Sequence, residues 1–225
     1  SKETRVDILV TPLVTIFSGV GLSMLIAAPI GAAASQVGTL IMWATEQAPL
    51  VMGILVSVIV GVALTLPISS AAICAALGLT GLAGGAAVAG CCAQMIGFAV
   101  MSYKENGVGG LVSQGLGTSM LQMGNIVKNP RIWIAPTLAS AITGPLATCV
   151  FHFEMNGAAV SSGMGTCGLV GQIGVYTGWV SDIAAGTKAA ITPMDWAAMV
   201  LLCFVLPAVL SVIFCEIERK LGWIK

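Results

Sequence analysis

Charge is what this sequence has least of. Only 8% of its 225 residues are Asp, Glu, Lys or Arg, against about 25% in a soluble domain. That excludes a soluble globular domain, and with it a disordered chain or a coiled coil. The few charges balance at nine basic and nine acidic. No basic stripe is left to grip phosphates, so nucleic acid is excluded as a partner. There is one histidine, His152, and nothing resembles a Ser-His-Asp triad. Seven cysteines occur with no C-x-x-C among them. Their odd number and apolar neighbours read as small buried side chains, not as a disulfide scaffold. Cys149, His152 and Glu154 are too few ligands for zinc, which wants three or four at tetrahedral distances. No metal and no cofactor is expected, and no catalytic residue.

Apolar residues make up 57% of the chain, and 28 of the 225 are glycine. High glycine with little charge is typical of helices packed together in lipid. Residues 8–45 carry no formal charge, a run of 38, and residues 47–103 carry none either, a run of 57. Further uncharged stretches cover 106–127, 132–153, 155–181 and 196–215. About 20 predominantly apolar residues cross a bilayer, so the longest run holds two spans and a turn. The expected fold is an all-α polytopic membrane protein with about six to eight transmembrane helices.

Spans are expected over 6–33, 50–68, 90–103, 132–151 and 196–214, with 71–90 as a stretch of Ala, Gly and Leu. Gly78, Gly81 and Gly84 would give that stretch one nearly bare face. Trp43 and Glu46 mark a membrane interface, with room for a short amphipathic segment before Pro49, and 182–195 reads as a loop. Two segments are poor material for a lipid-facing helix: 108–127 and 158–180, both glycine-rich and interrupted by polar residues. They are expected to be re-entrant hairpins, since non-helical backbone at membrane depth survives only where protein or water covers it. Arg219, Lys220 and Lys225 put the C-terminus inside, and Lys128, Arg131 and Lys104 read as inside too. The last pair of loops can share a side only if the segment between them enters and leaves by that side.

The same two segments carry a weak internal repeat. Glu105-Asn106-Gly107, Gly115-Leu116-Gly117-Thr118 and Gln122 answer to Glu154-Met155-Asn156-Gly157, Gly163-Met164-Gly165-Thr166 and Gln172. Transporters often bind solute at paired, glycine-interrupted segments of repeated units. The Gly-x-Gly-Thr element is neither a P-loop nor a Rossmann fingerprint, because no Lys-Ser or Lys-Thr follows it and no strand precedes it. Glu154 is a carboxylate near the membrane that must pair or face water. It suits hydrogen bonding to solute hydroxyls or work as a base. Gln114, Thr118, Gln122, Thr166 and Gln172 each both give and accept hydrogen bonds, which suits either a polyhydroxylated solute or contacts between helices. With Asn156 and His152 they form the expected substrate-binding set.

Particular runs carry a more specific signal. Lys2-Glu3-Thr4-Arg5-Val6-Asp7, Leu66-Pro67-Ile68-Ser69-Ser70 and Gln114-Gly115-Leu116-Gly117-Thr118-Ser119 are among them. The most specific is Asn129-Pro130-Arg131-Ile132-Trp133-Ile134 to Gly144-Pro145-Leu146-Ala147. On these the chain resembles the perfringolysin-O-regulator group of bacterial membrane proteins, a group related to the IIC permease subunits of the sugar phosphotransferase system. The resemblance implies one IIC-like transmembrane domain over 1–225, shortened at its N-terminus, in a bacterial cytoplasmic membrane. It implies a homodimer, a sugar-like solute held by a carboxylate and a histidine near the hairpin tips, and a separate IIB-type phosphoryl donor. The glucose-type Gly-Ile-Thr-Glu motif is absent, so His152 and Glu154 answer to that pair by character only. The expected function is a IIC-type permease for a small polar solute. The competing expectation is a membrane sensor or toxin regulator that binds a ligand without moving it.

Overall fold

Long uncharged runs leave the backbone no partner but itself, and in lipid that requires helix. The computed structural model describes residues 7–224. Among them ten α-helices follow in order: α1 (Asp7–Gln47), α2 (Pro49–Thr65), α3 (Ser70–Leu77), α4 (Gly81–Met101), α5 (Tyr103–Val112), α6 (Met123–Lys128), α7 (Ile134–Pro145), α8 (Val170–Ala184), α9 (Pro193–Val200) and α10 (Leu206–Lys220). The turns Leu201–Val205 join α9 to α10 without a break, giving one rod of 28 residues, Pro193–Lys220. At 1.5 Å per residue it is ~42 Å long. Turns at both ends extend α7 to Pro130–Val150, 21 residues. These two rods and the 21-residue α4 are long and apolar enough to cross a membrane, and α2 is a shorter apolar helix. The chain is an all-helical membrane protein, as its composition requires.

α4 is the axis of packing. It is buried along nearly its whole length, with α2, α7 and α10 around it. Small residues set the spacing. A methyl group added at Gly90 would fall onto the Ser57 carbonyl, and one at Gly144 onto the Gly53 carbonyl. The α2–α4 and α2–α7 contacts are therefore backbone against backbone, the close approach that glycine allows. Ser57 Oγ adds a hydrogen bond to the Ser140 carbonyl at 2.8 Å.

Contacts fix the directions. Gly61 lies on Gly90 and Thr65 on Gln94, so α2 runs with α4. The pairs Gly53–Gly144 and Ser57–Ser140 set α7 against them. Gly97 meets Ser211, and Arg219 donates to the Met101 carbonyl at 3.4 Å, so the long rod runs with α4. One end of the bundle gathers Met101, Arg219 and Trp223. The other gathers Gly81, Phe153 and Pro49.

Two segments leave this bundle and return to the end they left. Residues 103–131 start where Glu105 pairs with Arg219 at 2.6 Å. They finish where Arg131 lies 5.5 Å over the Trp223 ring and Asn129 Nδ2 donates to the Trp223 carbonyl at 3.0 Å. Between these points Gly115 packs on Ala99 and Ile96, and Ser119 meets Thr65. Residues 151–184 enter from the opposite end and come back to it.

Three local expectations are corrected. The first helix does not stop near residue 33; α1 runs to Gln47 and takes in Trp43 and Glu46, leaving no separate amphipathic segment. A proline interrupts a helix less when neighbouring turns can adjust, as in lipid. Gly78 and Gly81 do not line one helix face. Both adopt left-handed backbone, φ 62 and 63, which glycine takes without steric cost, and they form the turn between α3 and α4. The expected loop 182–195 is shorter than its bounds, because α8 continues to Ala184 and α9 starts at Pro193.

Candidate functional site

After α7 the chain cannot continue as helix. His152 takes a left-handed φ of 43, unusual for a residue with a side chain and worth a functional question. Phe153 N donates to the Ala147 carbonyl at 2.8 Å, and Met155 exchanges two 3.0 Å backbone bonds with Gly81. The chain is thereby pinned in an extended form across the start of α4. Alternation follows from that form: Phe153 and Met155 are buried, while His152 and Glu154 are exposed. Gly85 makes the approach possible, since a Cβ there would overlap the Phe153 carbonyl.

The outward side chains of this strand face a cavity of about 580 Å³ lined by His152, Glu154, Asn156, Trp179, Asp182, Lys188 and Asp195, among others. Asn156 Nδ2 donates to Glu154 Oε2 at 3.0 Å and to Asp182 Oδ2 at 2.8 Å. Both amide hydrogens are used, and two carboxylates are held side by side. Lys188 pairs with Asp195 at 2.8 Å and sits 5.6 Å over the Trp179 ring. Asp195 also closes a capping box with Thr192 at the start of α9, which fixes its position. Trp179 meets Trp196 edge to face at 5.5 Å. The lining holds three carboxylates against one ammonium, so it offers an excess of hydrogen-bond acceptors.

The expected substrate set is divided by the structure. His152, Glu154 and Asn156 share this cavity. Gln114 and Gln122 lie toward the other end of the bundle, in a chain of amides. Asn125 Nδ2 donates to Gln122 Oε1, Gln122 Nε2 to Gln114 Oε1, and Gln114 Nε2 to Ser102 Oγ, at 2.9, 2.9 and 3.0 Å. They line an open hollow of about 430 Å³ with Asn106 and Ser113. Thr118 does neither: its hydroxyl accepts from Met120 N at 3.2 Å, capping a turn. Thr166 is fully buried and donates to the Gly115 carbonyl at 2.6 Å. Gln172 is buried and donates to Cys92 Sγ at 3.3 Å.

Trp179, Asp182, Lys188 and Asp195 escaped the sequence reading. The available signal was three charges within fourteen residues, between two uncharged stretches. Gln94 is a different case. It is fully buried, accepts from Trp133 Nε1 at 2.9 Å and Thr65 Oγ1 at 3.3 Å, and donates to Thr137 and Ser140. All four of its hydrogen-bonding positions are filled by protein, so it ties α2, α4 and α7 together. Among the described residues no group of three or more His, Cys, Asp or Glu is placed to hold a metal ion.

No curated protein and no solved structure matches this chain. A protein family does: residues 1–225 match the family described as phosphotransferase system, EIIC. An all-helical membrane bundle with two broken segments and a polar cavity accords with that match. The chain belongs to the EIIC family of the phosphotransferase system, and it is a multi-pass membrane permease component of that type.

Proposed function

We propose that this permease component carries a small neutral polyhydroxylated solute, a sugar or a close analogue, and binds it in the cavity beside the strand at 152–156. The observation that carries this reading is the pair Glu154 and Asp182, spaced by the Asn156 amide. A hydroxyl group can donate as well as accept. The carboxylate oxygens left free by Asn156 therefore complement a ligand rich in O–H. A few placed polar groups over an apolar wall are what small-molecule sites usually show. The phosphoryl group would come from a separate IIB-type partner. We read the broken segments as re-entrant hairpins, the functional unit as a homodimer, and the chain as one of the perfringolysin-O-regulator group.

Charge supplies an orientation. Of the six described Lys and Arg residues, Lys104, Lys128, Arg131, Arg219 and Lys220 lie at the Met101 end of α4, and Lys188 alone lies at the other. Cytoplasmic loops carry the excess of Lys and Arg. The Met101 end with its amide hollow therefore faces the cytoplasm of a bacterial inner membrane, and the Glu154 cavity faces outward.

The test is to purify the chain from its membrane and identify co-purifying small molecules by mass spectrometry, with Glu154→Gln and Asn156→Ala alongside. A polyhydroxylated solute present in the wild type and lost in both variants supports the site. Lipid alone in all three preparations, or solute retained in both variants, overturns it.

A further inference from the structure

The two Gly-x-Gly-Thr elements approach from opposite ends of the bundle and touch. The turn at 163–169 enters from the Glu154 side, and the turn at 113–118 from the Met101 side. They meet at one side-chain hydrogen bond, Thr166 Oγ1 to the Gly115 carbonyl at 2.6 Å. The contact is buried against α4, where Thr166 also lies 3.6 Å from Met95 Sδ. The repeat is not symmetric in use. Thr118, the counterpart of Thr166, turns its hydroxyl to its own chain at Met120 N. Gly165 and Gly168 flank the contact in left-handed backbone, φ 52 and 53, where φ and ψ can change at little cost. Gly165 covers Cys91 and Cys92, which are fully buried.

We propose that Thr166 is the latch of the transport path. Its hydroxyl, given to the Gly115 carbonyl, holds the tips of the two broken segments together. So held, they separate the cavity at Glu154 from the amide hollow at Gln114 and Gln122. The role of the latch in transport rests on the reading of the Glu154 cavity as the solute site. Thr166 touches no solute. It positions the tips, and opening the path breaks this bond and swings the turn on Gly165 and Gly168, beyond the anchor that Ser70 Oγ makes to the Gly163 carbonyl at 2.7 Å. A net hydrogen bond shifts an equilibrium by about fivefold, enough to favour closed tips and small enough for solute binding to overcome.

Thr166→Val keeps the shape and removes the bond, and Thr166→Ser keeps the bond. The assay is labelling of the full chain in liposomes with a membrane-impermeant maleimide, mapped to individual cysteines by mass spectrometry. Thr166→Val is expected to raise the labelling rate at Cys91 and Cys92 by about fivefold, with Thr166→Ser close to wild type. An unchanged rate in Thr166→Val, or an equal rise in both variants, overturns the latch. A measurement on the unaltered chain covers the case in which Thr166→Val fails to fold. Tips that open as a unit give peptides 113–118 and 163–169 the same hydrogen-exchange protection, and protection differing by more than about tenfold overturns the proposal. Neither readout needs the solute, so a failed latch and a failed solute site are told apart. Opening in Thr166→Val together with solute retained in both Glu154→Gln and Asn156→Ala keeps the latch and removes the site.

Discussion

Gln94→Leu is the sharpest test of how this bundle is held together. The substitution keeps the volume roughly constant and deletes the amide. Three of its four partners keep another bond: Thr65 has Ser119 at 2.9 Å, Thr137 has the Trp133 carbonyl at 2.7 Å, and Ser140 has the Pro136 carbonyl at 2.9 Å. Trp133 does not. An indole has a single N–H and no acceptor, and its one partner is Gln94 Oε1. Hydrogen bonds between membrane helices contribute about 0.6 kcal/mol each, and a stranded buried donor costs ~1–3 kcal/mol. The expected loss is about 3 kcal/mol. The assay is equilibrium unfolding in mixed micelles by titration with sodium dodecyl sulfate. Adding Trp133→Phe removes the stranded donor, so the two changes should couple by about 1 kcal/mol in a double-mutant cycle. A loss below about 0.5 kcal/mol, or two strictly additive changes, would refute the view of Gln94 as a structural hub.

Three shorter predictions follow from the same geometry. Gly90→Ala drives a methyl onto the Ser57 carbonyl and should cost about 1–3 kcal/mol, while Gly19→Ala, with nothing within 4 Å, should leave the unfolding curve in place. Asp195→Ala loses both the capping box and the Lys188 pair and should destabilise by about 1–2 kcal/mol. Lys104→Ala, which breaks an exposed pair with Glu216, should leave the midpoint unchanged. Of the seven free thiols, the half-buried Cys149 and Cys167 should react with maleimide before the buried Cys74, Cys91, Cys92, Cys203 and Cys215, as peptide mapping over a time course would read.

What could be read from the residues was what depends on neighbours in sequence. Uncharged runs gave the membrane class. Glycine with polar interruptions marked 108–127 and 158–180 as segments unlike ordinary spans; in the structure the first is broken into short turns, while the second is broken only up to Leu169 and then runs as the helix α8. The Lys104, Lys128 and Arg131 signal asked for one side for both ends of the first segment, and in the structure both ends lie at the Met101 end of the bundle. Partners far apart in the chain were not legible. Gln94 and Gln114 look alike as letters; one is closed by Trp133, Thr137 and Ser140, thirty-nine or more residues away, and the other faces a hollow. Asp182 reaches Asn156 across 26 residues, a contact made only once α8 has folded back on the strand. The first span is expected to end near residue 33, yet nothing in local propensity alone says whether α1 bends, stops or runs on to Gln47.

The meeting of Thr166 with Gly115 also fixes a timetable for biogenesis. The two residues lie 51 apart, which at about 5–20 residues per second takes a ribosome on the order of 3–10 s. Through that interval the Gly115 carbonyl has no Thr166 to bind. Gln94 waits in the same way for Trp133, made 39 residues later. Gln94 already has Thr65, made earlier, to bond, whereas the Gly115 carbonyl is best served by water, so the segment 103–131 is expected to wait at the membrane surface while α7 is inserted. It can sink against α4 only after the 163–169 turn arrives from the opposite side, which makes the first broken segment early in translation and late in assembly.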